Sequence, residues 1–298
     1  MNVLSTQNLH KEYGRITAVN QLNLEIKAGS VFGLLGPNGS GKTTTLGMVL
    51  GVTTPTSGQF LWFGEKPSHQ QRKRVGSILE KPNFYPNLSG YKNLQVACKI
   101  KEVPETRIDK VLDQVGLLER KNDSFKTYSL GMKQRLAIGS ALLANPEVLI
   151  LDEPTNGVDP KGIAEIRELI LEIATTGKTI ILASHLLDEV QKVCSDFAIL
   201  SKGNLIHTGR VDAGFDDDIV IEIAARDHEA LVKQIGQFPG YITHRPLKDG
   251  IEVRCTADTQ ADTLNKYLTQ IDIFPYHLHT IKKTLEQQFL EILTQNNA

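Results

Sequence analysis

Cysteine is scarce: Cys98, Cys194 and Cys255 lie far apart in 298 residues, with no C-x-x-C spacing. That excludes a disulfide framework and a cysteine-based zinc site, and it fits a reducing compartment. Long apolar runs are missing too. No stretch approaches the ~18 apolar residues that cross a bilayer as a helix, so work at a membrane would need another polypeptide to do the spanning. The opening MNVLSTQNLHKEYG has no long apolar run either, and no signal peptide is expected. An excess of one charge is absent: 33 Lys and Arg against 34 Asp and Glu leave a formal net charge of −1. No overall basic field argues for nucleic acid as a partner. There is no internal repeat and no low-complexity segment. What remains, 40% hydrophobic and 22% charged, is ordinary for a globular chain. Its length suits one large domain and a small one.

Apolar residues alternate in AVNQLNLEI, with Val19, Leu22, Leu24 and Ile26 as members, so residues 1–30 predict short strands. VFGLL is a short apolar run closed by a Gly-rich turn, and a helix is expected from Lys42. Residues 66–145 are polar, punctuated by Pro and helix-rich, with Arg72, Lys73 and Arg74 near their start. That basic run could approach an anionic leaflet, but a solvated face is the plainer reading. VLILDEP and TIILASH are continuous apolar runs of the kind that form strands buried on both faces of a parallel sheet. Between them Ile163, Ile166, Ile170 and Ile173 share one helical face, and Gly177 is a natural stop. The alternation predicts an α/β core. FAILSKGNLIHTG reads as a hairpin turning at Gly203-Asn204.

A composition change at DAGFDDD separates a domain of residues 1–213 from an accessory one of residues 215–298. There the expected order is strand (219–224), helix (228–237), hairpin (241–255), helix (261–268) and strand (near 274–281). That βαββαβ order predicts a small ferredoxin-like α+β unit, although Pro275 demotes the last strand. A closing helix is expected from Thr284, with Gln287 at capping-box spacing.

The chemistry concentrates in a few short motifs. Gly36-Pro37-Asn38-Gly39-Ser40-Gly41-Lys42-Thr43-Thr44 has the G-x-x-x-x-G-K-T spacing between a strand and a helix. Its glycines let backbone N–H groups wrap phosphate oxygens at a helix N-terminus. Lys42 can reach the β- and γ-phosphates, and the Thr43 hydroxyl can ligate Mg²⁺. Asp152, at the end of VLILD, can hold that Mg²⁺ directly or through water, and Glu153 can act as general base on an attacking water. Adjacent carboxylates also suit a solvated loop, but the buried strand before them favours a site. His185 ends a strand where ligands of open α/β sheets collect, so a γ-phosphate contact is expected over a structural role. Tyr13 is a candidate platform for adenine; taken alone it reads as core or surface. Ser129 and Gly131, in KTYSLGMKQRLAI, open another helix and suggest a second anion site.

GPNGSGKTT, YSLGMKQR, VLILDEP, NGVD and LASH, in that order, resemble the nucleotide-binding subunit of an ATP-binding-cassette (ABC) transporter. The resemblance covers residues 1 to about 213. It implies a P-loop ABC-type ATPase core with an antiparallel β subdomain and a helical subdomain at about 82–145. It implies Tyr13 as the stacking residue and Glu80 in a loop touching Mg²⁺ and the membrane partner. Ser129 and Gly131 become the signature, Asp159 part of a loop joining two active sites, and His185 a switch. The expected set is then Glu153, His185 and Lys42 for catalysis, and Thr43, Glu80 and Asp152 for the metal. Tyr13, the loop 36–44, Ser129, Gly131 and Asp159 would hold ATP. Two copies would pair head to tail around two ATP molecules, each signature reaching the γ-phosphate held by the other copy. Polytopic permease subunits would keep the chain at the cytoplasmic face of the cell membrane.

Two departures stand out. The usual signature is Leu-Ser-Gly-Gly-Gln, and Tyr128, Leu130 and Met132 replace three of its members. Glu80 stands where the family usually has Gln. The S-x-G-M-K-Q-R form and EKPNFYPNLSGYKNL resemble the branch that exports drugs, peptide antibiotics or lipids, bacitracin- and lantibiotic-type cassettes in particular. The alternative is a soluble cassette ATPase or regulator acting without a permease. Relatives of that kind that act on ribosomes or DNA usually fuse two cassettes or insert long coiled coils, and this sequence does neither. A GTPase is disfavoured because no Asn-Lys-x-Asp motif follows the phosphate loop.

Overall fold

In the computed structural model the described residues are 1–212, 219–256 and 258–281. The helix expected from Thr284 and the composition change across 213–218 lie outside them. The chain divides into two compact units, Met1–Asp212 and Ala213–Ala298.

The first unit opens with β1 (Asn2–Tyr13), β2 (Ile16–Lys27), β3 (Val31–Leu35), α1 (Lys42–Val49), β4 (Ser57–Trp62), α2 (His69–Lys73) and β5 (Val75–Ile78). It continues with α3 (Gly90–Lys101), α4 (Ile108–Gln114), α5 (Leu130–Leu142), β6 (Val148–Asp152), α6 (Pro160–Thr175), β7 (Thr179–Ser184), α7 (Leu187–Val193), β8 (Asp196–Ser201) and β9 (Asn204–Arg210). β1, β2 and β4 form an antiparallel sheet in the order β2-β1-β4. Residues 1–30 thus make two long strands and not several short ones, and Val19, Leu22, Leu24 and Ile26 are all buried.

The second sheet has the order β5-β6-β7-β3-β8-β9, parallel except for β9. β3, β6 and β7 are buried along their whole length, the pattern expected of strands covered on both faces. Each fully buried Leu or Ile there contributes roughly 1.5–3 kcal/mol. Trp62, 1% exposed, closes the core between the two sheets and donates its indole N–H to Val49 O at 2.8 Å. The β8–β9 turn falls on Lys202-Gly203, one residue earlier than the sequence suggests, because Ser201 pairs with Asn204. β5 is a strand that the sequence pattern hides: VGSI is short and lies in a polar, helix-rich stretch.

The second unit runs β10 (Ile219–Ala225), α8 (His228–Ile235), β11 (Tyr241–Leu247), β12 (Gly250–Cys255), α9 (Ala261–Gln270) and β13 (Pro275–Ile281). Its strands are antiparallel in the order β11-β12-β10-β13, the ferredoxin-like arrangement. Pro275 is the first residue of an edge strand, where its missing N–H costs no ladder bond. The helices pack Leu231, Ile235, Leu264 and Leu268 against Ile221, Ile223, Ile251 and Val253, a core of its own.

Candidate functional site

The parallel register aligns Leu35 with Ser184 and Asp152 with Ala183, so the C-terminal ends of β3, β6 and β7 open at one edge. Each strand delivers its motif there. After β3 the phosphate loop turns through Gly41, whose φ is 105°; a Cβ at that position would lie 2.5 Å from Ala18 O. Only glycine meets both demands. α1 then begins at Lys42, whose ammonium is 5% exposed and bonds Gly36 O at 2.7 Å and Pro37 O at 3.2 Å.

Thr43 Oγ1 donates to Asp152 Oδ2 at 2.8 Å. Asp152 is 2% exposed, and its other oxygen is buried without a hydrogen-bond partner. Burial raises the Asp152 pKa; the neighbouring Glu153 and Glu80 charges add to the rise, while the Thr43 bond and Lys42 oppose it. Glu153 adopts φ 48° at the end of β6 and donates its N–H to Ala183 O at 3.0 Å. Its two carboxylate oxygens point to different partners. Oε1 lies 3.4 Å from Lys42 Nζ, and Oε2 lies 2.8 Å from His185 Nδ1. One carboxylate therefore ties the phosphate loop to the end of β7. The sequence places all three residues at the site, but their direct linkage follows only from the fold.

Beside this constellation a cavity of about 540 Å³ is lined by Tyr13, Ile16, Thr17, Ala18, residues 38–44, Glu153 and Lys202. Tyr13 is 49% exposed, and Lys11 Nζ lies 4.9 Å from its ring centroid. Lys202 was not singled out from the sequence, since turn positions carry no motif.

Seven expected site residues do not line this cavity: Gly36, Asp152 and His185, which belong to the constellation just described, and Glu80, Ser129, Gly131 and Asp159. Glu80 is exposed, two residues beyond β5, with φ 57°. β5 pairs with β6 through Ile78 and Leu151, which brings the Glu80 charge within electrostatic reach of Asp152. Ser129 is the exposed N-cap of α5, and its hydroxyl accepts the Met132 N–H at 3.2 Å. Gly131 is buried where α5 meets α6; a Cβ there would lie 3.4 Å from Val158 Cγ1 and 3.5 Å from Gly162 Cα. Asp159 is the exposed N-cap of α6. Tyr128, one of the departures, is 3% exposed and donates its hydroxyl to Arg120 O at 2.8 Å. It anchors the approach to α5 from the interior.

The loop between β5 and α3 is organised by one buried side chain. Asn93 accepts from Tyr85 N–H at 2.9 Å and donates to the carbonyls of Tyr85, Leu88 and Ser89. Next to it lies a cavity of about 430 Å³ whose lining includes Phe84, Tyr85, Val96, Ile100 and Lys101. Tyr85 and Ile100 are 60% and 77% exposed.

A family model described as "ABC transporter" matches residues 19–156. The bacitracin transport ATP-binding protein BcrA of Enterococcus faecalis is 44% identical over 209 residues, covering 68% of each chain. The uncharacterized ABC transporter ATP-binding protein YhcH of Bacillus subtilis (strain 168) is 38% identical over 296 residues, 97% of this chain and 95% of that one. The chain belongs to the ABC transporter family. It is one of the ATP-binding ATPase subunits of that family. The lantibiotic transport ATP-binding protein SrtF of Streptococcus pyogenes is 42% identical over 204 residues, 68% of this chain and 89% of that one. Among solved structures, cbiO1 from Clostridium perfringens, part of the ABC transporter complex cbiONQ, superposes with a TM-score of 0.65 at 31% identity. That likeness covers 71% of this ABC subunit and 89% of cbiO1.

Proposed function

We propose that this subunit is the ATPase motor of an exporter for a peptide antibiotic, drug or lipid, and that two copies close head to tail around two ATP molecules. The observation that carries the pairing is the position of Ser129. It is exposed at the N-terminus of a 13-residue helix suited to an anion, yet it does not line the cavity beside its own Lys42. A phosphate for Ser129 and Gly131 must then come from a second copy, and two-fold symmetry supplies it twice. Asp159, at the head of α6 beside Gly131, belongs to the same seam.

In this reading adenine stacks on Tyr13 and the triphosphate lies along residues 36–44. Thr43 and Asp152 would hold Mg²⁺, with Glu80 beside them; the buried, unpartnered Asp152 oxygen fits a hard cation. The ion would neutralise phosphate charge. Phosphate competes with Glu153 for the Lys42 ammonium, which frees one carboxylate oxygen. A water oxygen attacks the γ-phosphorus, Glu153 takes its proton, and the bond to ADP breaks. His185 holds Glu153 in orientation through Nδ1, leaving Nε2 to face the γ-phosphate. Loss of that phosphate removes the contacts made by Ser129 and Gly131, and the pair reopens.

Among the described residues no helix is long and apolar enough to cross a membrane, so a separate permease would carry the cargo. The exposed Tyr85 and Ile100 beside the cavity next to Asn93 are its seat, which would keep the subunit at the cytoplasmic face. Likeness to proteins named for bacitracin and lantibiotic transport supports the cargo class.

Glu153→Gln should cut hydrolysis by about 10²–10⁴ and hold an ATP-bound dimer on size-exclusion chromatography. Adding Ser129→Arg should leave a monomer that still binds ATP. Hydrolysis at wild-type rate would remove Glu153 from the role of base. A dimer that survives Ser129→Arg would remove the pairing in trans.

A further inference from the structure

The nucleotide cavity contains one cation besides Lys42 that no motif accounts for. Lys202 lines it from the β8–β9 turn. Lys202 and Gly203 both have left-handed backbone, φ 47° and 81°. Two-residue hairpin turns of this kind favour Asn, Asp or Gly at both positions, because a side chain with a Cβ is disfavoured there. A lysine is therefore a poor choice for the turn itself.

The turn is also fixed in place. Gly203 donates its N–H to Ser40 O at 3.0 Å, and Asn20 donates its N–H to Gly203 O at 2.8 Å. The Asn20 side chain adds a bond to Asn204 at 3.0 Å. Lys202 thus projects from a point clamped to both β2 and the phosphate loop. Among the described residues no carboxylate lies within ion-pair distance of its ammonium.

We infer that Lys202 is a nucleotide-positioning residue that offers its ammonium to the α-phosphate and ribose of the bound nucleotide. This rests on the reading that the cavity holds ATP. The assignment follows from connectivity. With the base on Tyr13 and the β- and γ-phosphates at Lys42, the ribose and α-phosphate lie between them. That is the span where Lys202 lines the wall with Thr17 and Ser40. Lys11 lies 4.9 Å from the Tyr13 ring centroid but does not line the cavity, which leaves Lys202 as the cation beside the ribose.

Ribose and α-phosphate are common to ATP and ADP and do not change during hydrolysis. The contact is uniform binding, which sets affinity and KM but not the chemical step. In the full chain, Lys202→Met should weaken ATP and ADP binding equally, by roughly fivefold to tenfold, measured by calorimetry. KM should rise in step while kcat holds, and Lys202→Arg should restore both affinities. Lys202→Asn gives the decisive contrast. It improves the turn, so Tm should rise, while nucleotide affinity falls as in Lys202→Met. A residue that serves only the turn would give the opposite pairing, with Tm and affinity moving together. Wild-type ADP affinity in both Lys202→Met and Lys202→Asn overturns the inference, provided Lys42→Ala weakens binding. If Lys42→Ala also leaves ATP affinity unchanged, the reading of the cavity itself is what has failed.

Discussion

At the scale of single residues, the site keeps charges where folding alone would not place them. Asp152 is nearly sealed from water and has one oxygen without a partner. Burial raises its pKa in the folded chain, whereas an unfolded Asp titrates near its ordinary value of about 3.9. Above the folded pKa the buried carboxylate is ionised and costs stability. As pH falls toward the unfolded pKa, the proton returns and the cost disappears. Asp152→Asn should therefore raise Tm at pH 7 without nucleotide or metal, by a few degrees for each ~1 kcal/mol recovered. The gain should vanish near pH 4. A pH series of thermal melts checks this, and a gain that grows toward acid would contradict it. The same variant should lose activity, the usual exchange between stability and function. Glu153 shows what a sequence can and cannot reveal at this scale. Its place after VLILD is plain from spacing. Its division between Lys42 and His185 is not, because those partners arrive from strands far apart in the chain.

At the scale of elements, apolar periodicity made the central strands legible. VFGLL, VLILD and TIILAS have no polar members in their interiors to confuse the pattern. β5 escaped because VGSI owes its state to pairing with β6 and not to its own composition. That strand also delivers Glu80, so the missed element hid how Glu80 comes near Asp152. The odd signature has an element-level cause. Gly90 opens α3, and a Cβ there would lie 2.3 Å from the Tyr128 hydroxyl oxygen. Tyr128 and Gly90 thus fit as a pair, joining the start of α3 to the approach of α5. Gly90→Ala should cost about 1–3 kcal/mol in urea unfolding. Tyr128→Phe alone should cost ~1 kcal/mol through the lost Arg120 bond. In the Gly90→Ala background it should recover stability, since the clashing oxygen is gone. A double variant no better than Gly90→Ala alone would show that the helix yields instead.

For the whole molecule, the described residues that line the cavity proposed to hold ATP all belong to the first unit, from Tyr13 to Lys202. The second unit has its own core around Ile221, Leu231, Val253 and Leu264. A chain ending at Asp212 should fold and bind ATP within about threefold of the full chain, a difference of less than 1 kcal/mol. A truncated chain that folds but binds no ATP would place the boundary elsewhere. The strand order has a further consequence during synthesis. β3 carries the phosphate loop, yet both of its neighbours, β7 and β8, are translated much later. At roughly 5–20 residues per second, that interval is on the order of ten seconds. Throughout it the nascent chain holds VFGLL with no strand on either side, a sticky segment that the ribosome surface or a chaperone must shield. If the cavity holds ATP as proposed, ATP is no early template for folding, because the cavity gains its Lys202 wall only when the β8–β9 hairpin emerges.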